Sequence, residues 1–208
     1  MPPPEPVRVG FVSLGCPKNL VDTEVMLGNL RKAGFVLSGD AENCDVIVVN
    51  TCGFIDPARR ESVNTILEMA EHKRKGRCRR LVVAGCMVQR YPRELREEIP
   101  EIDAFVGLDE LEKIVQAVRP DGRASAAGPA VPAPGPARAL YDHRSVRVLA
   151  TPPHTAYLKI SEGCNRPCSF CAIPSMRGRM RSRTPDSLRV EAEDLARRGV
   201  KELILIAQ

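Results

Sequence analysis

Short, almost entirely apolar segments separated by helical patterns dominate the first 118 residues, and this alternation restricts the possible fold more than any other feature. The strand-like segments are Val7 to Leu14, Val46 to Asn50, Leu81 to Ala84 and, more weakly, Ala104 to Val106. Apolar strands that alternate with helices form parallel sheets buried on both faces. The pattern therefore predicts an α/β domain over residues 1–118, with helices covering a parallel sheet.

Amphipathic patterns predict the helices between these strands. The first helix starts at Asn19 or Asp22 and runs to Ala33, before Gly34, a residue type that commonly follows a helix. The second has Asp56 as its N-cap and Pro57 at its first position. Two sets of apolar residues recur at the helical spacing i, i+3, i+4, i+7: Val63, Ile66, Leu67 and Ala70 after Asp56, and Leu111, Ile114, Val115 and Val118 after Asp109.

Residues 119–140 differ in composition from the rest of the chain. They are rich in proline, alanine and glycine and have no apolar periodicity, which predicts a semi-rigid linker. Beyond it, Ala156 to Ile160 predicts a strand, Asp186 to Arg198 a helix and Glu202 to Ala207 a second strand. Residues 141–208 are thus predicted to begin a parallel (β/α) barrel, and because a closed barrel needs more strands, the chain is expected to be a fragment.

The loop after the first of these strands contains EGCNRPCSFC, in which three and then two residues separate Cys164, Cys168 and Cys171, the loop cysteines. A four-iron cluster normally takes four cysteines. Three cysteines from one loop leave one iron with a free coordination position for a ligand. In the same way, a free position distinguishes catalytic zinc sites from structural ones. Active sites of parallel α/β folds gather at the carboxyl ends of strands. The spacing therefore predicts a catalytic iron–sulfur cluster.

Two other interpretations of this loop remain open. A structural zinc would take the three thiolates with His143 or His154 as its fourth ligand, although the two clear ligand pairs of most zinc sites are missing. A redox dithiol would use Cys168 and Cys171, but it leaves Cys164 without a role.

Three more cysteines, the strand-end cysteines, each follow a predicted strand of the first domain. Cys16, Cys52 and Cys86 end the segments VGFVSLGC, VIVVNTC and LVVAGC. Because parallel strands present their carboxyl ends along one edge, the three thiolates are expected to converge there as a second site. The alternative is three small core residues, since free cysteine is often buried. Cys44 and Cys78 are predicted to be structural or incidental.

Composition indicates the cellular compartment and the kinds of partner that suit these sites. The chain has eight cysteines and no apolar stretch near the roughly 18 residues of a membrane span, which predicts a cytoplasmic protein whose cysteines are ligands or catalysts. A net charge of +5 permits a nucleic-acid or ribosomal partner, while 4% aromatic residues give little support for base stacking. Neither a GxGxxG nor a Walker A pattern is present, so nucleotide binding by the first domain is not expected.

Together these motifs resemble those of the radical S-adenosylmethionine methylthiotransferases, over nearly all of the chain except the linker. The resemblance implies two [4Fe-4S] clusters. One is held by the loop cysteines, and its free iron chelates S-adenosylmethionine. The other is an auxiliary cluster at the strand-end cysteines, through which sulfur is delivered.

Two segments are similar to the branch of this family that modifies a ribosomal protein: SLGCPKNLVDTE around Cys16 and CAIPSMRGRMRSR from Cys171. The branch that modifies tRNA usually has glutamine where Pro17 stands and a Pro-Tyr-Thr-Arg-Gly type of sequence after the loop. The resemblance thus implies β-methylthiolation of an aspartate in small-subunit ribosomal protein twelve. A tRNA methylthiotransferase and an inactive iron–sulfur or zinc-binding fragment are the alternatives.

Radical chemistry suits an unactivated carbon, which has no acidic proton to remove. The resemblance implies that one electron cleaves S-adenosylmethionine and that the 5′-deoxyadenosyl radical takes hydrogen from the substrate carbon. It also implies an electron-donor protein as a partner, and no DNA or membrane. The substrate protein is expected to be modified either alone or on the ribosome.

Four arginines alternate in the segment after the loop: Arg177, Arg179, Arg181 and Arg183. Because guanidinium groups match carboxylates, they are expected either to orient the carboxylate of the cofactor or of an acidic substrate, or to be solvated or contact ribosomal RNA. Phe170, between two loop cysteines, is expected to shield the cluster from solvent or to pack near the adenine of the cofactor.

Overall fold

The computed structural model describes residues 5–119, 130, 132 and 135–207. Five strands lie in the first part of the chain: β1 (Arg8–Ser13), β2 (Val36–Ser38), β3 (Val46–Thr51), β4 (Arg80–Gly85) and β5 (Ala104–Val106). They form one sheet in the order β2-β1-β3-β4-β5, and every pairing is parallel. The predicted α/β fold is confirmed, and β2 is a short edge strand that the apolar pattern did not indicate.

The helices of this part are α1 (Pro17–Lys32), α2 (Asp56–Lys75), α3 (Cys86–Arg90), α4 (Pro92–Glu98) and α5 (Ile114–Ala117), with a 3-10 turn at Leu111–Lys113 before α5. Alternate residues of β3 and β4 point to opposite faces of the sheet, so each face has its own core. Ile66 of α2 and Leu95 of α4 pack on one face, and Met26 and Leu30 of α1 pack with Ile114 on the other. The sheet is therefore buried on both sides.

Several predicted helix details were wrong. Helix α1 begins at Pro17, earlier than expected, although its end before Gly34 is confirmed by a φ of 88° there. Asp56 is the first residue of α2 and not its N-cap, which is Ile55 and makes no side-chain cap. Leu67, which was predicted to lie on the buried face, is 46% exposed because the face of α2 that packs against the sheet is narrower than the apolar pattern indicates.

The second part of the chain contains β6 (Thr155–Lys159), β7 (Ser161–Glu162), α6 (Ile173–Arg177), β8 (Arg181–Ser182), α7 (Pro185–Arg197) and β9 (Glu202–Ile206). Strands β6 and β9 pair in parallel, with α7 between them in sequence. Thr184 caps α7, its hydroxyl accepting the Ser187 N–H at 3.3 Å. This is the predicted strand–helix–strand unit, and the short antiparallel pair β7–β8 is an addition that encloses the cysteine loop.

Helix α1 also packs against the second part. A Cβ built on Gly28 would lie 2.0 Å from the Val146 carbonyl oxygen, and the Val148 N–H donates to the Glu24 carbonyl at 3.1 Å. The chain before β6 therefore passes directly over α1. No helix among the described residues is long and apolar enough to cross a membrane.

Residues 120–129, 131, 133 and 134 of the predicted linker lie outside the described residues. From residue 135 onward the segment is packed. The Ala137 N–H donates to the Met176 carbonyl at 2.9 Å, and Asp109 Oδ1 accepts the Arg138 N–H at 2.6 Å. The last residues of the segment thus contact both parts of the protein, which a spacer without contacts would not do.

Candidate functional site

The strand-end cysteines follow three adjacent parallel strands, so they lie along one edge of the sheet. Cys16 precedes α1 and is exposed, whereas Cys52 and Cys86 are 9% and 6% exposed. A Cβ on Gly15 would lie 2.7 Å from the Cys52 Cβ, and one on Gly53 would lie 3.1 Å from the Cys86 carbonyl oxygen. Glycine at these two positions therefore permits the close approach of the segments that contain the cysteines.

Hydrogen bonds hold the backbone of Cys52. Its N–H donates to the Ser62 hydroxyl at 3.0 Å, and the same hydroxyl lies 3.0 Å from its carbonyl oxygen. Asn50, two residues earlier, donates to the Asn19 carbonyl and to the Thr23 hydroxyl, each at 2.8 Å. These buried contacts tie the end of β3 to α1 and α2.

The thiol of Cys86 lies in a buried, charged environment. Burial raises its pKa to about 11, while the guanidinium of Arg177 acts in the opposite direction. Arg177 Nη2 donates to the Cys86 Sγ at 3.1 Å. A residue from the second part of the chain therefore contacts a strand-end cysteine directly.

The loop cysteines lie nearer the surface. Cys168 is exposed, and Cys164 and Cys171 are partly exposed. The Cys164 N–H donates to the Gly178 carbonyl at 3.0 Å, and pairing of β7 with β8 closes the base of the loop. Phe170 is 89% exposed, so the shielding role expected of it is not seen in this structure.

Among the described residues, no three His, Cys, Asp or Glu side chains lie close enough together to hold a metal ion as they stand. Neither His143 nor His154 therefore completes a metal site with the loop cysteines here. The ring of His143 lies instead 3.2 Å from the Ser187 hydroxyl on α7. Ligation of a cluster by either set of cysteines stays a prediction.

Four buried charged side chains form a closed ring between the two parts, the ion-pair ring of Asp22, Lys159, Glu162 and Arg177. Lys159 Nζ lies 2.6 Å from Asp22 Oδ1 and 2.7 Å from Glu162 Oε2. Arg177 lies 2.9 Å from both carboxylates. Although burial alone would raise the pKa of Glu162, Lys159 and Arg177 lower it to about 2.

A second buried network lies beside the ring. Arg147 pairs with Glu24 of α1 and with Glu191 of α7, and Glu191 also pairs with Arg183. The ring of Tyr141 lies over these charges, 4.8 Å from the Arg183 guanidinium carbon. Because Glu24 belongs to the first part of the chain and the others to the second, this network also joins the two parts.

The four arginines after the loop have different surroundings, which corrects their treatment as one set. Arg177 and Arg183 are buried in ion pairs with the protein's own carboxylates. Arg181 donates to the Ala137 carbonyl at 3.0 Å. Arg179 is exposed and, with Cys164, lines an open cavity of about 630 Å³. Of the four, Arg179 is the one placed to meet a ligand near the loop.

The motifs and periodicities of the sequence do not predict the buried charges, although one signal is present. Lys159 stands in the otherwise apolar segment AYLKI, and a lysine in a buried strand needs a partner. The ion-pair ring lines a cavity of about 240 Å³ between α1, the segment from Leu108 to Lys113, and Tyr141.

Two family models match the chain. Residues 8–107 match the uncharacterized protein family UPF0004, and residues 158–208 match the radical SAM superfamily. Curated relatives have the same two parts in one protein. The ribosomal protein uS12 methylthiotransferase RimO of Pelotomaculum thermopropionicum is 52% identical over 97% of this chain, and that of Symbiobacterium thermophilum is 55% identical over 98%. The chain belongs to the radical SAM methylthiotransferase family.

This methylthiotransferase-family chain spans less than half of its relatives, 45% of the first protein and 41% of the second. A third, from Koribacter versatilis, is 48% identical over 100% of the chain and 49% of the relative. The cobalamin-dependent S-adenosylmethionine radical enzyme OxsB is a solved structure with a slight likeness: a TM-score of 0.47 and 15% identity over 94% of this chain and 32% of that one. The match of residues 158–208 to the radical SAM superfamily supports S-adenosylmethionine and iron–sulfur chemistry.

Proposed function

We propose that this chain carries the two cluster sites of an enzyme that transfers a methylthio group to an aspartate of ribosomal protein uS12. The observation that carries the proposal is the presence of three cysteines on each of two packed units, joined by the contact between Arg177 and Cys86. Relatives named for this activity are 52% and 55% identical to this chain over nearly its whole length. Residues 1–118, 119–140 and 141–208 are proposed as the methylthiotransferase domain, the linker and the start of the radical SAM domain.

The residues present fit iron–sulfur clusters. Thiolates are the usual ligands of such clusters, and each proposed site offers three of them. The loop cysteines stand at the surface, where a cofactor can reach them. Of the strand-end cysteines, Cys86 lies beside the buried guanidinium of Arg177, and this cation opposes the rise in the thiol pKa that burial causes.

The residues around the loop suit S-adenosylmethionine. This cofactor, with a reduced cluster, supplies a radical that removes hydrogen from an unactivated carbon. The exposed Arg179 and Arg166 line the cavity next to Cys164 and offer guanidinium donors for its carboxylate. Pairing of β7 with β8 fixes the base of the loop that carries the three thiols.

Removing the strand-end cysteines is expected to halve the iron content. With two clusters, the anaerobically reconstituted chain should hold about eight irons, and the Cys16→Ala, Cys52→Ala, Cys86→Ala variant about four, since four is the nuclearity of each cluster. Iron, acid-labile sulfide and zinc per chain are the measurement. A Cys44→Ala, Cys78→Ala variant is the matched control and should keep about eight. Four irons in both chains, or one zinc without iron, would contradict the proposal.

A Cys168→Ala change is expected to abolish cleavage of S-adenosylmethionine, because two thiolates from the loop no longer complete the site. Formation of 5′-deoxyadenosine under reducing conditions measures this. In cells that lack the gene, the full-length protein should restore methylthiolation of uS12, detected by mass spectrometry, and its Cys168→Ala form should not. Restoration of a modified tRNA nucleoside with unmodified uS12 would instead assign the chain to the tRNA branch.

A further inference from the structure

Arg177 contacts three different groups at once. Its Nη2 lies 2.9 Å from Asp22 Oδ2 and 3.1 Å from the Cys86 Sγ, and its Nη1 lies 2.9 Å from Glu162 Oε1. The side chain is 2% exposed. A guanidinium presents its N–H donors in a rigid planar fork, so these contacts fix its position relative to all three groups.

The three partners come from distant parts of the sequence. Asp22 belongs to α1, Cys86 follows β4, and Glu162 stands two residues before Cys164. Arg177 itself ends α6, the short helix after the loop. The side chain therefore connects one strand-end cysteine with both ends of the loop that contains the other three.

Charge balance alone does not explain the contact with sulfur. In the ion-pair ring, Asp22 and Glu162 each pair with both Lys159 and Arg177, so two negative and two positive charges are already matched. The contact with Cys86 is an additional donation from the same buried group. Hydrogen bonds to ligand sulfur are one of the means by which proteins set the potential of an iron–sulfur cluster.

We propose that Arg177 is a positioning residue of the auxiliary site. It donates a hydrogen bond to the ligand sulfur of Cys86, raises the reduction potential of the cluster there, and holds this cluster at a fixed place relative to the loop cysteines. The proposal rests on the proposed function, because it requires a cluster at the strand-end cysteines.

The test uses a chain whose only cluster is the auxiliary one, the Cys164→Ala, Cys168→Ala, Cys171→Ala variant after anaerobic reconstitution. In this background the midpoint potential is measured with and without Arg177→Lys. Lysine keeps the charge but has no fork to reach both carboxylates and the sulfur. The expected result is a midpoint potential about 59 mV more negative. For a one-electron couple this shift corresponds to about a tenfold change in the ratio of oxidised to reduced cluster.

Arg183→Lys in the same background is the matched control. Arg183 is also buried and ion-paired, with Glu191, yet its hydrogen bonds go to oxygen atoms of Lys159, Ser187 and Glu191. The midpoint potential of the cluster in the Arg183→Lys variant should equal that in the background chain.

Equal shifts in the two arginine variants, or no shift in either at full iron loading, would overturn the role of Arg177 and leave the proposed function intact. A background chain that binds no iron would overturn the proposed auxiliary site and the inference with it. Iron content, measured on every sample, distinguishes these outcomes.

Discussion

Replacing Arg147 with methionine is expected to lower the free energy of unfolding by about 3–5 kcal/mol, the cost of breaking a buried ion pair by removing one partner. The change leaves Glu24 and Glu191 buried without their shared cation, and the Arg147 and Glu24 side chains are only 3% and 0% exposed. Urea denaturation followed by circular dichroism measures the loss.

Arg144→Met is the matched control for this prediction. Arg144 lies three residues away and pairs with Asp142, but its side chain is 81% exposed. Exposed pairs contribute little to stability, so this variant should unfold at the same urea concentration as the parent. If the Arg147→Met and Arg144→Met variants unfolded at the same urea concentration, the ion pairs of Arg147 would have no role in stability. Adding Glu24→Gln to Arg147→Met should recover part of the loss.

Gly28→Ala is expected to destabilise the protein, although the same change in an exposed helix would stabilise it by about 1 kcal/mol. The sign is reversed because the new Cβ would lie 2.0 Å from the Val146 carbonyl oxygen. Backbone must move to remove such a contact, and overpacking of this kind costs about 1–3 kcal/mol. The midpoint of thermal unfolding should therefore fall.

Gly39→Ala provides the comparison. No atom lies within 4 Å of a Cβ at that position, so replacement there should leave the midpoint unchanged or raise it slightly by restricting the unfolded chain. A Gly28→Ala protein as stable as the Gly39→Ala protein would mean that the segment around Val146 does not rest on α1.

The parallel sheet was predictable from the sequence because its central strands are buried on both faces. Val46 to Asn50 and Leu81 to Ala84 have no polar side chain until the last residue of the first segment, and few structures other than a covered parallel strand accommodate such runs. The unit around β6 and β9 was predictable from its apolar segments on either side of a helical pattern, although β9 is largely exposed in this structure. Strand β2 was missed because three residues, Val36–Ser38, give no measurable periodicity.

The partners of the charged residues could not be predicted in the same way. Asp22 and Glu24 lie on α1, a helix that covers the sheet. In most proteins the side of such a helix that faces away from the sheet is solvated. The helical spacing does not reveal that a second unit covers these two residues. Arg177 and Arg183 likewise look like members of a basic loop. The burial of Arg177 depends on its contact with Asp22, 155 residues away, which local sequence patterns do not encode.

The location of the strand-end cysteines along one edge follows from parallel topology, and so does the position of the loop cysteines beyond β6. The contact of Arg177 with Cys86 does not, because it depends on how the two units face each other. The sequence therefore indicates which residues are candidate ligands, whereas their relative placement requires the tertiary structure.

The charged character of the contact between the two units has a consequence for synthesis on the ribosome. Lys159 is 137 residues after its partner Asp22, an interval of roughly 7 to 27 s at ordinary elongation rates. During that time the exposed side of α1 presents hydrated carboxylates to the surrounding water. Because this side of α1 is polar, the newly synthesised first unit is less prone to associate with other nascent chains before the second part of the chain is synthesised.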